Sequence, residues 1–324
     1  MSIASEITRI KNNIASAYTS VSNKGGTLPE TQNSNNLATA ISSIPSGGGG
    51  DVDEFFNKLM TGTIDQDLEA TFSDGGEPVI LGLNTNNHNL TLNGNIKISA
   101  TKYFNVGIGT ISLPDTTGQY CQNYFLTGSR AKKVYCPELV RITGSVLFNG
   151  AVINYLYLPK LTTIPGNVDF NTTVANKTLY FPSVTQIGTG NFKQAFGNSI
   201  NYVIVGTANC TLGYSDNIKG INTRGGNIFV PSDSVNDYKA ATNWSVYPDI
   251  IVGYTDVNVN IGDTITLTGG NSYELTILWY WNTENCATLT GNALSLIDTG
   301  DVLIKKFDSN NVCIGGEIYH ISEV

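Results

Sequence analysis

Leu156-Tyr-Leu-Pro159 is one of seven copies of a phrase that recurs between Leu90 and Pro231: an apolar residue, a variable residue, an apolar residue and usually proline. The last residues of successive copies lie 21, 23, 22, 23, 24 and 25 positions apart. The copies are Leu90-Thr-Leu-Asn93, Ile111-Ser-Leu-Pro114, Val134-Tyr-Cys-Pro137, Leu156-Tyr-Leu-Pro159, Leu179-Tyr-Phe-Pro182, Val203-Ile-Val-Gly206 and Ile228-Phe-Val-Pro231. This period is shorter than that of helical solenoids, roughly 33 to 47 residues, and is typical of repeats with one short strand each.

Three further positions keep the register of the phrase. An apolar residue lies two places after the proline at Leu139, Leu161 and Val184, and an isoleucine lies five places after it at Ile142, Ile164 and Ile187. A phenylalanine lies eleven places after the phrase at Phe104, Phe125, Phe148 and Phe170, and one place early at Phe192. Proline cannot donate to a strand ladder, so each repeat is predicted to be a short parallel strand, a turn and a return segment whose phenylalanine fills the core.

The repeat pattern closely resembles the BspA-like class of leucine-rich repeats of bacterial surface antigens, over about residues 90 to 250. The repeat at Pro114 departs from that pattern, because Thr116 and Gln119 stand where apolar residues are expected. The resemblance implies a leucine-rich-repeat solenoid. Solenoids need terminal units that cover the exposed core, and we assign these to a helix at 51–60 and a helix at 232–243 followed by Trp244.

The N-terminal segment carries apolar residues spaced alternately by four and three. This spacing predicts a coiled coil, and isoleucine at both seam positions favours three strands. The alternative is an amphipathic helix lying on a neighbouring domain, since fewer than three heptads are marginal alone. The seam residues, assigned to oligomerisation, are Ile3, Ile7, Ile10, Ile14, Ala17 and Val21. A second short helix is predicted over 33–44, followed by the glycine-rich hinge Pro45-Ser-Gly-Gly-Gly-Gly50.

Two runs in this segment resemble the N-terminal region of tail and baseplate proteins from phages of Gram-positive hosts. They are Ser5-Glu-Ile-Thr-Arg-Ile-Lys-Asn-Asn-Ile-Ala15 and Lys24-Gly-Gly-Thr-Leu-Pro29. The resemblance implies a virion protein that is assembled in the host cytoplasm and attached to other tail proteins through its N-terminus.

From Asp256 the apolar residues recur with period two, which predicts strands over 257–261, 264–267, 274–281, 293–297, 302–307 and 316–321. These strands favour a small β-sandwich or barrel, with an immunoglobulin-like arrangement as one form. The predicted fold class is therefore mainly β: a short helical or coiled-coil segment, a leucine-rich-repeat solenoid and a small β-sandwich. The predicted domains are 1–46 for oligomerisation and attachment, 47–89 for the hinge and N-terminal cap, 90–254 for the repeats and 255–324 for the sandwich.

Composition limits the partners. Only 14% of the 324 residues are charged and the net charge is -8. Since no Lys/Arg cluster is present, binding to nucleic-acid phosphates is not expected. No apolar run is long enough to span a membrane, and the absence of a signal peptide counts against ordinary secretion. Of the five cysteines, Cys136 is expected to be a small buried residue; Cys286 and Cys313 could pair, although a bacterial cytosol favours free thiols.

No catalytic residues, metal site or cofactor are predicted. The two histidines, His88 and His320, are not near a Ser or Cys motif, and both are expected at the surface. The His and Cys residues lack metal-ligand spacing. The acidic group Asp65, Asp67 and Glu69 lacks the glycine and closing glutamate of a calcium loop, so a solvated face is expected.

The middle residues of the phrases are predicted to point away from the core, side by side on strands about 4.8 Å apart. We call the aromatic residues on this face the aromatic ladder: Tyr135, Tyr155, Tyr157, Tyr180, Tyr202 and Phe229. An exposed aromatic strip is suited to binding a sugar or a protein. An equally good interpretation is that these rings stack on one another and stabilise the sheet.

The function that the N-terminal resemblance implies is non-enzymatic: a phage tail or baseplate protein, in particular a receptor-binding or host-adsorption component. Its expected partners are other copies in a homotrimer, other tail proteins, and a glycan or protein of the host cell surface. A bacterial cell-surface adhesin with the same repeats and a tail-associated glycan hydrolase are the alternatives.

Overall fold

The computed structural model describes residues 11, 14–19, 21–22, 27–42, 67–71, 83–84, 87–94, 104–107, 109–115, 126, 128–141, 151–165, 177–189 and 200–323. The chain divides into two compact units, Met1–Phe55 and Phe56–Val324. The predicted helix at 51–60 and the ring positions Phe125, Phe148, Phe170 and Phe192 lie outside the described residues.

In the first unit, residues 14–19 and 21–22 are helical and a second helix, α1, spans Ser34–Ser42. Asn33 caps α1, because its side-chain oxygen accepts hydrogen bonds from the amides of Asn35 and Asn36 at 3.0 and 3.1 Å. The Tyr18 hydroxyl donates to the carbonyl of Asn33 at 2.7 Å, which ties the first helix to the start of α1.

The prediction of a coiled coil is wrong for the described part of this segment. Tyr18, Val21 and Ala40 form a buried cluster, and Ile14 and Leu37 pack against it. The apolar face of the first helix is therefore used within its own chain, against α1. Ala17 is half-buried, and Ile3, Ile7 and Ile10 lie outside the described residues.

The second unit is mainly β. Among its described residues, two short helices are α2 (Asp216–Thr223) and α3 (Val235–Ala240), and single 3-10 turns lie at Ser232–Ser234, Trp244–Val246 and Pro248–Ile250. The described strands are β1 (Leu68–Thr71), β2 (Leu83–Asn84), β3 (Leu90–Asn93), β4 (Phe104–Asn105), β5 (Thr110–Ser112), β6 (Arg130–Tyr135), β7 (Val152–Tyr157), β8 (Thr163–Pro165), β9 (Thr178–Phe181), β10 (Gln186–Thr189), β11 (Tyr202–Val205), β12 (Thr211–Leu212), β13 (Asn227–Pro231), β14 (Ile251–Asn260), β15 (Thr264–Thr266), β16 (Ser272–Tyr280), β17 (Ala287–Thr290), β18 (Ala293–Leu296), β19 (Gly300–Phe307) and β20 (Cys313–Ser322).

The recurring phrases do form parallel strands, and their first residues pair with one another. The pairs are Leu90 with Ile111, Ile111 with Val134, Val134 with Leu156, Leu179 with Val203, and Val203 with Ile228. Of the isoleucines five places after the phrase, Ile164 and Ile187 are described; they lie fully buried in a small separate parallel sheet, β12-β10-β8. The periodic apolar positions are thus core positions, as the pattern indicates.

The predicted fold class is nevertheless wrong, because these strands do not make a solenoid followed by a separate sandwich. They divide between two sheets: β7 pairs with β6 in the first, while β9 begins the second, whose order is β9-β11-β13-β14-β20-β19-β16. The C-terminal strands belong to this second, mixed sheet. The sheet curls until its last strand, β16, approaches β9 and also β7, so that it nearly closes as a barrel.

Strand β14 explains why the C-terminal strands do not form a module of their own. Its first half pairs in parallel with β13 (Ile228 with Ile251), and its second half pairs in parallel with β20 (Tyr254 with Gly316). One ten-residue strand therefore crosses the predicted domain boundary at 254/255. It continues the hydrogen-bonded sheet from the repeat strands into the C-terminal strands. The separate β-sheet β15-β18-β17 contributes Leu267, Leu294 and Leu296 to a core with Val302 and Ile304 of β19.

The predicted helix after Pro231 appears as a 3-10 turn and α3, but it does not end the sheet, since β14 follows it. It covers one side of the core. The Trp244 indole N–H donates to the carbonyl of Cys210 at 2.9 Å, and the Tyr238 hydroxyl donates to the carbonyl of Thr207 at 2.6 Å. Both aromatic side chains are buried and their rings meet edge to face at 5.0 Å.

Candidate binding site at an aromatic corner

The aromatic ladder is covered, and the expectation of a continuous exposed strip is wrong. Phe229 is 0% exposed and lies in a core with Leu278, Leu303 and Ile318 of strands β16, β19 and β20. Tyr155 is also buried, and Tyr180 and Tyr202 are partly buried against the same strands. The physical reason is the curl of the second sheet, which places the period-two strands over the outward face of the repeats and removes the rings from water.

Burial also makes these phenol groups weaker acids. It raises the pKa of Tyr155, Tyr180 and Tyr202 above the usual value, because the phenolate is poorly solvated there. Phenol groups with a raised pKa remain neutral at any physiological pH. Most of the ladder therefore stabilises the interior and is not available to a partner.

One end of the ladder remains accessible. Four rings, Tyr135, Tyr157, Trp279 and Trp281, meet there, and we call this set the aromatic corner. Tyr135 and Tyr157 are stacked with centroids 5.5 Å apart and planes 12° apart, and Trp279 lies 4.9 Å from Tyr157 with planes 31° apart. Trp281 stands nearly perpendicular to the other three rings, at 71 to 80°.

Strand pairing sets these positions. Tyr135 and Tyr157 are direct partners in the parallel ladder between β6 and β7, so their rings are adjacent. In β16 the register against β19 shifts between Ile277 and Trp279, and such an irregularity changes which side chains face which side of a sheet. The amide of Trp281 donates to the carbonyl of Thr299 at 3.1 Å, which holds the end of this strand.

The exposure of the aromatic corner is uneven. Trp281 is 47% exposed, and Tyr135 and Tyr157 are half-buried. Trp279 is 3% exposed, and its indole N–H has no hydrogen-bond partner among the described residues. A buried tryptophan N–H normally has a partner, so this donor is an unused hydrogen-bonding group within the corner.

A carboxylate–imidazole–carboxylate set borders the corner. Asp301 is the cross-strand partner of both Trp279 on β16 and His320 on β20. The His320 ring lies between two carboxylates: Nδ1 is 2.7 Å from Asp301 and Nε2 is 3.1 Å from Asp256. These hydrogen bonds, that to Asp301 above all, outweigh partial burial and raise the pKa of His320 to about 9. The imidazole is therefore charged at neutral pH and donates to both carboxylates.

Two lysines lie behind the rings. The Lys133 ammonium donates to the carbonyl of Tyr280 at 2.7 Å and lies 3.8 Å from the centroid of the Tyr280 ring. Burial lowers the pKa of Lys133 to about 8, with a smaller effect from Lys132. Lys132 pairs with Glu284 at 2.5 Å, and Glu284 also accepts a hydrogen bond from the Tyr155 hydroxyl at 2.8 Å. Both cations are thus engaged by groups of the protein.

The sequence predicted only some of the residues of this site. Tyr135 and Tyr157 were predicted as binding residues, whereas Trp279, Trp281 and Asp301 were missed. The run Leu278-Trp-Tyr-Trp281 was a signal, since three aromatic residues end one period-two strand. The prediction that His320 is a plain surface residue is wrong, because its ring bonds to two carboxylates on neighbouring strands.

The arrangement offers rings and hydrogen-bonding groups, but no metal centre. Within the described residues, no group of three His, Cys, Asp or Glu side chains is placed to hold an ion. Cys286 and Cys313 are both free thiols and do not pair. The other histidine, His88, lies 3.5 Å from Asp67 at an exposed position.

The described part of the chain contains no helix with the length and apolar character needed to cross a lipid bilayer. A search for similar proteins found no match to the chain among protein family models, curated proteins or solved structures.

Proposed function

We propose that this chain is a tail or baseplate protein of a phage with a Gram-positive host, and that it binds the host cell surface through the aromatic corner. The observation that carries the binding role is Trp281, a large ring that is 47% exposed although three other rings stand beside it. Exposed rings on a rigid support give a large contact area with little loss of conformational entropy. The virion assignment rests on the resemblance of the N-terminal runs given above.

In this proposal the ladder has two roles along its length. Its covered part, from Tyr180 to Phe229, holds the second sheet together. Its accessible end, Tyr135 and Tyr157, presents the contact surface together with the tryptophans of β16. Attachment to other tail proteins is assigned to the first unit. The predicted homotrimer stays a prediction, and residues other than Tyr18 and Val21 are needed for its contact, since these two are buried within the chain.

A second candidate function, glycan hydrolysis, is favoured by one observation. Asp256 and Asp301 are two carboxylates beside an aromatic surface, and glycosidases act through pairs of carboxyl groups. The charged His320 lies between them and donates a hydrogen bond to each, however. Neither carboxyl group faces the other across an open space in which a glycosidic bond could lie, so this arrangement favours binding over hydrolysis.

The experiment uses the fluorescently labelled full-length chain and a panel of Gram-positive bacteria. Binding to at least one strain, loss of that binding in Trp281→Ala and its retention in Tyr214→Ala would support the proposal. Tyr214 is a matched control, because it is a 36% exposed aromatic residue outside the corner. Equal binding by both variants would contradict the role of the corner.

Two further measurements separate the alternatives. Release of reducing ends from purified cell walls, abolished by Asp301→Asn, would establish the hydrolase instead. Antibodies against the chain that label phage tails in electron micrographs would support the virion assignment. Labelling of the bacterial surface in uninfected cells would instead establish an adhesin.

A further inference from the structure

The aromatic corner has the shape and the charge to select one chemical class of ligand. We propose that it binds an uncharged pyranose unit of a host-surface glycan, with the sugar ring against Trp281 and its hydroxyl groups on the carboxylate of Asp301. This inference deepens the proposed function and rests on it for the source of the glycan. The angles between the rings, the distances between them, the surrounding charges and the remaining hydrogen-bonding groups support this ligand class.

The geometry of the rings suits a pyranose. Tyr135, Tyr157 and Trp279 form a stack whose planes differ by 12 to 31°, and Trp281 stands at 71 to 80° to all three. Two aromatic surfaces at nearly a right angle form a corner and not a flat patch. A pyranose has an apolar C–H face that can lie on one ring and a rim of hydroxyl groups that must be hydrogen-bonded when water is removed.

The same distances argue against a cationic ligand. The centroids of the four rings are 4.9 to 5.9 Å apart, so the rings are in contact with one another. A quaternary ammonium group needs to lie within about 6 Å of several ring centroids at once, in a space between the rings. Rings already in contact leave no such space, and the corner is a platform, not a cage.

The charges argue against an anionic ligand. Carboxylates lie near Trp281: Asp301 is the cross-strand partner of Trp279, and Asp298, which follows β18, accepts hydrogen bonds from Asn282 and the amide of Thr283. The cations in this region are engaged by the protein: Lys133 by the Tyr280 carbonyl, Lys132 by Glu284, and the charged His320 by two carboxylates. A phosphate or uronate would meet carboxylates with no available counter-charge, whereas a neutral hydroxyl can donate to them.

Hydrogen-bonding groups remain for such a ligand. Each carboxylate uses one oxygen for His320, since both contacts involve Oδ1, and the other oxygens can accept from sugar hydroxyls. The N–H of Trp279 is buried, so the hydrogen bonds of such a ligand are made with the carboxylate oxygens. Acceptors beside an aromatic surface match a ligand that has an apolar C–H face and hydroxyl donors.

The test is saturation-transfer NMR on the full-length chain, with irradiation of the aromatic protein resonances. The neutral probes are the methyl glycosides of D-glucose, D-galactose, L-rhamnose and N-acetyl-D-glucosamine, and the anionic probes are sn-glycerol 3-phosphate and D-glucuronate. We expect transfer to the ring C–H protons of at least one neutral probe. Trp281→Ala should weaken binding about tenfold and Asp301→Asn about fivefold, whereas Tyr214→Ala should leave it unchanged.

Transfer that is as strong to the anionic probes, or that persists in Trp281→Ala, would overturn the inference. The outcome is separable from that of the proposed function. If the labelled chain binds cells through Trp281 but no neutral glycoside competes, the sugar class is wrong and host-surface binding stands, with a protein receptor as its target. If a neutral glycoside binds at Trp281 but no bacterial strain is bound, the sugar site stands and the host-surface function fails.

Discussion

Lys305 is a lysine with 1% of its side chain exposed, inside the space between the ladder and the curled sheet. Its ammonium forms an ion pair with Glu274 and lies 3.9 Å from the centroid of the Tyr202 ring. A buried charge is tolerated only when a partner compensates for the lost hydration. Here the partner is itself about half exposed, so the two members of the pair are not equivalent.

This asymmetry predicts unequal losses of stability for two neutral substitutions. Glu274→Gln removes the counter-charge from a lysine that remains buried, and we expect the free energy of unfolding to fall by about 1–3 kcal/mol. Lys305→Met keeps the side-chain length against Tyr202 and leaves Glu274 able to reach water, so the expected cost is below about 1 kcal/mol. Urea unfolding at neutral pH measures both values. A larger loss for Lys305→Met than for Glu274→Gln would contradict this account.

His320 predicts a pH dependence with a definite sign. Its pKa in the folded protein is about 9, above the value of about 6.5 in an unfolded chain, so the folded state binds the proton more tightly. The resulting stabilisation is complete below about pH 6.5 and is lost as the pH rises through about 9. We expect the stability difference between wild type and His320→Gln to be about 1–2 kcal/mol near pH 6 and to shrink by pH 9.5.

The readout for His320 is the difference between the two proteins and not the wild-type curve alone. Lys133, whose pKa is lowered to about 8, contributes a slope of the opposite sign from about pH 8 upward, which overlaps the upper part of the His320 range and is common to both proteins. Thermal unfolding by circular dichroism at several pH values is sufficient. A wild-type-minus-variant difference that stays constant from acid to alkaline pH would show that the imidazolium is not stabilising the fold.

At the scale of elements, the decisive contact is between the outward face of the repeat strands and the strands that follow them. Ile204 and Phe229 of β11 and β13 pack on Leu278 and Leu303 of β16 and β19. A repeat strand thus has two buried faces, since the alternating residues Val203 and Ile228 are buried as well. Such strands read as continuous apolar runs, as in Tyr202-Val-Ile-Val205 and Ile228-Phe-Val230.

Substitutions along the ladder should therefore differ according to position. Phe229→Ala removes a ring with no exposed surface and should cost about 3–5 kcal/mol of stability. Trp281→Ala removes a half-exposed ring at the open end and should cost no more than about 1 kcal/mol. Chemical unfolding of the two variants gives the comparison. Similar losses at both positions would mean that the accessible end of the ladder is as structural as the covered part.

At the scale of the whole molecule, the C-terminal strands depend on the repeats. A fragment of residues 255–324 divides β14 and loses the pairing of β14 with β13. It also exposes the faces of Leu278, Leu303 and Ile318 that are buried on the ladder. We expect this fragment to show poorly dispersed amide resonances, whereas a chain of residues 56–324, which form one compact unit, should be folded. Well-dispersed resonances from the 255–324 fragment would contradict the continuous sheet.

The recurring phrase by itself determined the parallel strands, their register and the residues that fill the core between them. This information is local: a strand alternates its faces with period two, and a proline at the end of most copies ends the strand at the same place. The end of the repeats was harder to see, because Ile251-Val-Gly-Tyr254 continues the parallel array without a proline.

Only the tertiary structure decided what lies on the outward face of the ladder. The phrase shows that the middle residues point away from one core, and nothing in its period tells whether a second core lies there. That depends on contacts between Tyr157 and Trp279, or Phe229 and Ile318, which are about 90 to 120 residues apart along the chain. The aromatic corner and its neighbours Asp256, Asp301 and His320 arise from the same long-range pairing. Their juxtaposition is a property of how the sheet curls, and a sequence pattern that repeats every 23 residues or so does not contain it.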